Sequence, residues 1–513
     1  MLSSPVMDFQ NVPWFSVVIA SVILYLLFKR VRKDNSKPCL PPGPPPLPIL
    51  GNLLQLGGEK ATEVFLTLSQ QYGPLMTLRL GLETVMVVSS PAMAKEVLKT
   101  HDQNFAGRWV LQAAKTLDQH KSSIGWADYG PHWKKLRRIS STELMTSKRL
   151  QALQHLRRDE IFRTIRLIFK DKGRSVNIAH TVFYTGLNLL GNMIFSSSVF
   201  DPSDPESVEF KDAFSLSMKL AGTPNVADFF PFLAFLDPQR LCCKMAVHFR
   251  KVHKFLDVFI QDRLAKRSQN VEQSGDADKD FLDVLLDFSR PDLTITDIRH
   301  LIFELFMAGS DTTATTIEWA MAELILNPHA MKRAQQELEE VVGLDRKVEE
   351  SDIDRLPYLH AVVKEVFRLH PPIPLLVPHK AVNSCEVAGY TIPKNSQIIV
   401  NVWAIGRDPS IWEEPFKFIP ERFLEGEKSE IEYKGHDFEL LPFGAGRRIC
   451  MGLPLANRMV HLVLASLVHS FDWTLPDCMP SHKLDMSDEL GSALKKAVDL
   501  QAIASPRLPH HLY

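Results

Sequence analysis

The sequence predicts a mainly α-helical protein with small β-sheets, built as one large domain preceded by an N-terminal transmembrane helix. Three observations carry this. Apolar residues recur at helical spacing over long stretches, most clearly in Leu293–Pro328 and Leu453–Phe471. Strand-like alternation is confined to two regions, "LMTLRLG" with "TVMVVSS" around Gly81, and "VAGYTIPKNSQIIVNVWA" from Val387 to Ala404. Between Val12 and Phe28 lie 17 residues without a charge, about the shortest run that crosses a hydrocarbon core.

Composition fits this frame. Of 513 residues, 45% are hydrophobic and 23% charged, enough for a large core. The net charge of −1 argues against a nucleic-acid partner, which a basic surplus would mark. Six irregularly spaced cysteines (Cys39, Cys242, Cys243, Cys385, Cys450, Cys478) make no disulfide framework and imply a reducing compartment. No internal repeat and no second linker divides the chain.

Taken in order, residues 1–11 are expected on the lumenal side and residues 12–28 in the membrane. "KRVRK" follows at Lys29, with no lysine or arginine before it, so the positive-inside rule keeps the body in the cytosol. A cleaved signal peptide is the competing reading; the stretch lacks a basic leading region and is long for such a segment. Residues 29–52 form a basic, proline-rich hinge, with proline at seven of the eleven positions Pro38–Pro48. Proline locks φ and removes a donor, so the run is stiff and extended, as a hinge or as a plain linker. Residues 53–513 then form the body. Its strands around Gly81 read as a hairpin, Pro91 opens a helix in the first turn, and "SQNVEQSGDADKD" from Ser268 is a solvated loop.

The stretch "PFGAGRRICMG" (Pro442–Gly452) isolates one cysteine. Cys450 lies just before the helix that Pro454 opens, where free N–H groups and the helix dipole favour a thiolate. Gly444, Gly446 and Gly452 allow tight turns and close approach to a flat object, and Arg447 and Arg448 call for negative charge on that object. A nucleophile would need a local histidine base, and a phosphate loop would need G-x-x-x-x-G-K-[ST]; neither is present. Sulfur on iron and Arg448 on a carboxylate of the porphyrin point to haem.

The same stretch resembles the haem-binding signature of the cytochrome P450 superfamily, F-x-x-G-x-R-x-C-x-G, at Phe443, Gly446, Arg448, Cys450 and Gly452. That resemblance implies a haem-thiolate fold, haem b with Cys450 as axial ligand, and use of O2 with NADPH electrons delivered by NADPH–cytochrome P450 reductase. It also implies roles elsewhere. "KEVFR" and "PERF" supply Glu365, Arg368 and Arg422 for a buried ion network that braces the cysteine loop. In "HWKKLRR", Trp133 and Arg137 share a helix face and resemble a propionate clamp; His379 in "VPHKA" falls where another propionate ligand is expected. Lys134, Lys135 and Arg138 form either a reductase-docking patch or an ordinary solvated run. In "AGSDTT" the resemblance assigns Asp311 to proton relay and Thr312 to holding dioxygen and a water. Capping or kinking is the bland account of that cluster.

Further stretches ("YGPLMTLRLG", "NVWAIGRDP", "LDMSDELGSALKKA") are similar to plant microsomal enzymes of the geraniol-hydroxylase and ferruginol-synthase group, and to N-methylcoclaurine hydroxylases. The expectation is a single-pass endoplasmic-reticulum monooxygenase hydroxylating a small lipophilic metabolite, a terpenoid first. The alternatives are hydroxylation or phenol coupling of a benzylisoquinoline alkaloid, and a haem-binding membrane protein without turnover. Leu305, Ala308, Ile373 and Leu376 are candidate pocket residues. The chain departs from the relatives' pattern at Met451, where proline is usual, and at "GSAL" (Gly491–Leu494).

Overall fold

The computed structural model describes residues 39–57, 60–198, 200, 204–269, 279–289 and 292–513. The expected anchor, the start of the proline-rich run and most of the polar loop after Ser268 lie outside them. Among the described residues no helix is long and apolar enough to cross a membrane.

The longer helices are α1 (Ala61–Tyr72), α2 (Pro131–Ile139), α3 (Gln154–Lys170), α4 (Ile178–Phe195), α5 (Pro205–Ala221), α6 (Leu241–Ser268), α7 (Ile295–Leu326), α8 (Pro328–Val342), α9 (Pro357–Leu369) and α10 (Leu453–Ser470). The 32-residue α7 is the axis of the molecule. It packs most extensively on α4, and also meets α6, α9 and α10. It begins where the sequence predicts: Thr294 caps it in a reciprocal capping box with Asp297. Asn327 ends it, and Pro328 opens α8. The helix stays unbroken through Ala308–Thr313.

Among the described residues, twelve strands make four small sheets. Strands β1 (Leu75–Leu80) and β2 (Glu83–Val88) form the expected hairpin. With β3 (Gly107–Arg108), β5 (His379–Lys380) and β8 (Gln397–Val400) they make a sheet in the order β1-β2-β8-β5-β3. Strands β4 (Ser175–Asn177), β9 (Phe471–Thr474) and β12 (Gln501–Pro506) form a second sheet. Two hairpins complete the set: β6 (Cys385–Val387) with β7 (Tyr390–Ile392), and β10 (Asp488–Leu490) with β11 (Leu494–Lys496). The strand run expected to reach Ala404 stops at Val400. Asn401 caps a short helical turn, Val402–Ile405, accepting from the Ala404 N–H at 3.1 Å while its amide donates to the Thr62 carbonyl at 3.0 Å.

The described part of the proline-rich run is fastened to the body. The Pro42 carbonyl accepts from Thr77 N–H of β1 at 2.8 Å, and the Cys39 carbonyl from Thr391 N–H of β7 at 2.7 Å. Asn52 adds a bond to the Pro44 carbonyl at 3.3 Å.

Two core histidines predict acid sensitivity. His253 and His461 are buried, and burial holds each imidazole pKa down to about 3, with His300 beside the first and His360 beside the second. Unfolded imidazoles take up a proton near about 6.5. Between these values the unfolded state holds more protons, so stability falls as pH drops from about 6.5 toward about 3. Thermal unfolding followed from pH 7 to 5 should show a falling Tm, and His461→Phe should flatten that slope.

Candidate active site

The ion network is built on α9, whose Phe367 ring meets Phe443 of the cysteine loop at 5.3 Å. Glu365 and Arg368, both fully buried on α9, pair through two parallel bonds of 2.7 Å. The remaining Arg368 donors reach the carbonyls of Gly406 (2.6 Å), Pro415 (2.7 Å) and Lys417 (2.9 Å). Arg422 Nε donates to Glu365 at 3.1 Å, and Ile419 N–H joins the same oxygen at 2.8 Å. A helical pair thereby fixes three points of the chain between Gly406 and Lys417.

Above this the cysteine loop turns tightly. Gly444 and Gly446 have φ of +68° and +66°, and a Cβ on Gly446 would sit 1.9 Å from the Leu98 carbonyl oxygen. The close approach at Gly446 is therefore to the protein's own backbone. At Gly452 a Cβ would stand 3.7 Å from Cys450 Sγ, so the absence of a side chain there leaves room beside the sulfur. Cys450 N–H closes the turn on the Phe443 carbonyl at 2.9 Å. Cys450 presents open surface, yet surrounding protein raises its pKa, against the pull of the Gly452 and Leu453 N–H groups and of Arg137. Met451 packs half-buried against the main core. Cys385, on β6, instead has its sulfur taken by Asn104 Nδ2 at 2.9 Å.

A second open surface faces inward from α7. Through the heart of this largely buried helix, Glu304, Ala308 and Thr312 keep accessible surface at i, i+4 and i+8, a stripe flanked at its middle by the half-buried Met307 and Gly309. Thr312 donates its hydroxyl to the Ala308 carbonyl at 2.7 Å, and Thr313 donates to the Gly309 carbonyl at 2.8 Å. These back-bonds satisfy both hydroxyls without breaking the helix. Asp311 is buried and points elsewhere, to Lys495 of β11, with which it forms an ion pair.

One segment, Ser123–Ala127, joins the two surfaces. From the α7 side, the Glu304 carboxylate accepts from the Ser123 hydroxyl (2.8 Å), Ile124 N–H (2.7 Å) and Gly125 N–H (2.6 Å). From the cysteine loop, Arg448 donates to the carbonyls of Ile124 (3.1 Å) and Ala127 (2.6 Å), and also to Ala106 (2.8 Å). Trp133 Nε1 shares the Ile124 carbonyl at 2.9 Å, and its ring lies 4.2 Å from the Arg448 guanidinium.

Cations crowd here. Arg108 is buried, donating to the carbonyls of Gly125 (2.9 Å) and Val377 (2.6 Å). Burial, with Arg448 beside it, holds its pKa well below the usual guanidinium value. Burial also brings Arg448 down to about 10 and lowers Arg137, whose guanidinium makes no hydrogen bond or ion pair among the described residues. Burial and Arg108 keep His379 neutral, its Nδ1 on the Phe105 carbonyl at 2.7 Å. Glu304 acts on Arg108 and Arg448, and Asp128 on Arg448, while the charge beside Arg137 is the Cys450 sulfur; the Glu304 carboxylate is itself spent on the loop. The cluster suits a doubly anionic group such as the two propionates of haem, and the open sulfur suits its iron.

The structure brings Trp133, Arg137, His379, Arg448 and Cys450 into this one neighbourhood. The pocket candidates separate: Ala308 lies on the open stripe and Ile373 is half-buried, whereas Leu305 belongs to the main core and Leu376 to a second cluster with Phe438, Leu441 and Ala445. Lys134 and Arg138 are exposed, while Lys135 is tied to Asp292 at 2.9 Å. Sequence reasoning missed Arg108 and Glu304. Arg108 carries no usable signal beyond its apolar neighbours. Glu304 has one, since it stands a turn before Ala308 on an apolar helix.

The family model described as Cytochrome P450 matches residues 41–498. Geraniol 8-hydroxylase of Catharanthus roseus is 44% identical over 95% of this chain and 98% of its own length. Ferruginol synthase of Salvia miltiorrhiza is 42% identical over 94% of this chain and 97% of its own. The (S)-N-methylcoclaurine 3'-hydroxylase isozyme 1 of Papaver somniferum is 43% identical over 96% and 99% respectively. A zebra fish cytochrome P450 solved with progesterone superposes with a TM-score of 0.72 at 28% identity, over 88% of this chain and all of that one.

Proposed function

Because the chain belongs to the cytochrome P450 family and is a haem-thiolate monooxygenase, we propose that it hydroxylates a neutral, lipophilic terpenoid. One observation carries the choice of substrate. Glu304, the acid on the open stripe of α7, has its carboxylate engaged by three donors of the Ser123–Gly125 segment. No free carboxylate is left on that stripe to meet the ammonium group of an alkaloid, so a neutral substrate fits best.

In this reading Cys450 is the axial ligand, and Arg108, Arg137, Arg448, Trp133 and His379 hold the propionates. When bound, the haem supplies dioxygen activation, driven by electron donation from the thiolate. Thr312 keeps lone pairs free to accept beside the stripe while its proton is held on Ala308. Asp311, one residue away, is the acid that passes protons to it. Ala308 and Ile373 exclude water from the reacting carbon. Lys134 and Arg138 offer exposed cations to an acidic, flavin-carrying reductase.

Membrane attachment is part of the same reading. Ile49, Leu54, Leu82, Phe232, Phe235 and Leu236 are all exposed, Phe235 to 83%. They come from three segments that the backbone stitches together, Gly81 N–H to the Leu50 carbonyl at 3.1 Å and Leu82 N–H to the Phe229 carbonyl at 3.0 Å. A continuous apolar face of this kind suits a lipid surface and supports attachment to the endoplasmic-reticulum membrane with residues 12–28 as anchor; the cytosolic side for the body follows from the basic run after Phe28.

The test is turnover. Microsomes containing the protein and a reductase, given NADPH with geraniol, an abietane diterpene or a benzylisoquinoline, should yield an oxygenated product from a terpenoid. Product from the benzylisoquinoline alone would overturn the choice of substrate. NADPH consumption that no compound alters would favour haem binding without turnover.

A further inference from the structure

We propose that Lys495 and Ser492, on the hairpin β10–β11, are positioning residues that hold Asp311 for proton delivery. This rests on the relay role proposed above for Asp311 and Thr312. Asp311 is a buried acid, 3% exposed, in the middle of α7. Its two carboxylate oxygens turn to the hairpin: one meets the Lys495 ammonium, and the other accepts from the Ser492 hydroxyl at a long 3.4 Å. Lys495 is 44% exposed along its side chain, so its far side meets bulk water. The pair thus spans the distance between solvent and the residue next to Thr312.

The hairpin that carries the pair is held on several sides. Trp319 Nε1 of α7 donates to the Leu494 carbonyl at 3.0 Å, and Leu494 N–H donates to the Pro372 carbonyl at 2.8 Å. Its tip is pressed against the end of α5, where a Cβ on Gly222 would sit 2.4 Å from the Gly491 carbonyl carbon. Farther along, Leu500 N–H donates to Glu318 of α7 at 2.8 Å. A lysine on such a support presents its charge at one place with little freedom to lose.

The chemistry is a proton exchange without net change. The carboxylate, steadied by the ammonium, takes a proton from water at the exposed edge and, turning from the hairpin, passes it toward Thr312, a transfer that returns the group to the carboxylate. Without Lys495 the buried carboxylate loses its counter-charge and its aim.

The experiment uses the full chain in membranes with reductase, NADPH and geraniol as probe. Lys495→Met should lower the product formed per NADPH by roughly tenfold, raise peroxide release and enlarge the rate effect of D2O, with geraniol binding unchanged. Lys495→Arg should restore all three, because it keeps the cation. Ser492→Ala should have a smaller effect in the same direction. Should geraniol not be turned over, the partition of consumed O2 between peroxide and water gives the same reading without it. A thermal-unfolding cycle on Asp311→Asn, Lys495→Met and the double variant should be non-additive. Wild-type partition and D2O effect in Lys495→Met, or failure of Lys495→Arg to rescue, would overturn the proposal. If Asp311→Asn and Thr312→Ala change the partition and Lys495→Met does not, this inference fails alone and the relay stands.

Discussion

Replacing Cys450 by alanine is expected to remove all measurable turnover together with the red-displaced Soret band of the reduced carbon monoxide complex. The sulfur is the one group in the cysteine loop that can bind iron as a thiolate, since Met451 packs against the core; Gly452 leaves the space beside it open, and Cys450 N–H is fixed on Phe443. Helix α10 begins at Leu453, and its first N–H groups, with Arg137, favour the thiolate against the cost of burial. Alanine keeps the turn and its backbone bond, so the chain should still fold. Difference spectra of the dithionite-reduced protein under carbon monoxide check this directly. An undiminished band in Cys450→Ala would mean that another cysteine holds the iron.

The second large effect is on folding. Arg368→Ala should prevent accumulation of folded, haem-loaded protein. The guanidinium is fully buried, pairs with an equally buried Glu365, and holds three carbonyls of the Gly406–Lys417 segment. Its removal leaves a buried carboxylate without a full partner, at a cost of about 3–5 kcal/mol, and frees the carbonyls of Gly406, Pro415 and Lys417. Lysine keeps the charge but cannot make the paired bonds, so Arg368→Lys should rescue little. Expression level and carbon monoxide spectra measure both variants. Wild-type haem content in Arg368→Ala would show that the network is dispensable.

Much of this was legible in the residues. A cysteine between glycines and a helix start, an acid and arginine three apart on a helix, and a Trp and Arg four apart all depend on spacing within one short segment, which sequence displays. Thr294 or Thr296 as a cap and Pro328 as a stop bounded α7 in the same way, and the structure uses Thr294. What escaped was assembled from distant segments. Arg108 acts only because β3 lies beside Arg448 and His379, and Glu304 only because the Ser123–Gly125 backbone is brought to it. Lys495 stands far along the chain from Asp311, and no local pattern could pair them. Leu305 packs in the main core and Leu376 in a second cluster; apolar residues fill cores as readily as they line cavities, so residue type alone marks no pocket.

The fastening of Cys39 and Pro42 to strand edges has a mechanical consequence. Whatever comes before Cys39 leaves the body from one fixed point, beside the sheet, and cannot swivel there. Slack added upstream of that point would lengthen a tether without turning the body, whereas residues inserted between Cys39 and Asn52 would shift the mooring itself and tilt the apolar face away from whatever surface it rests on.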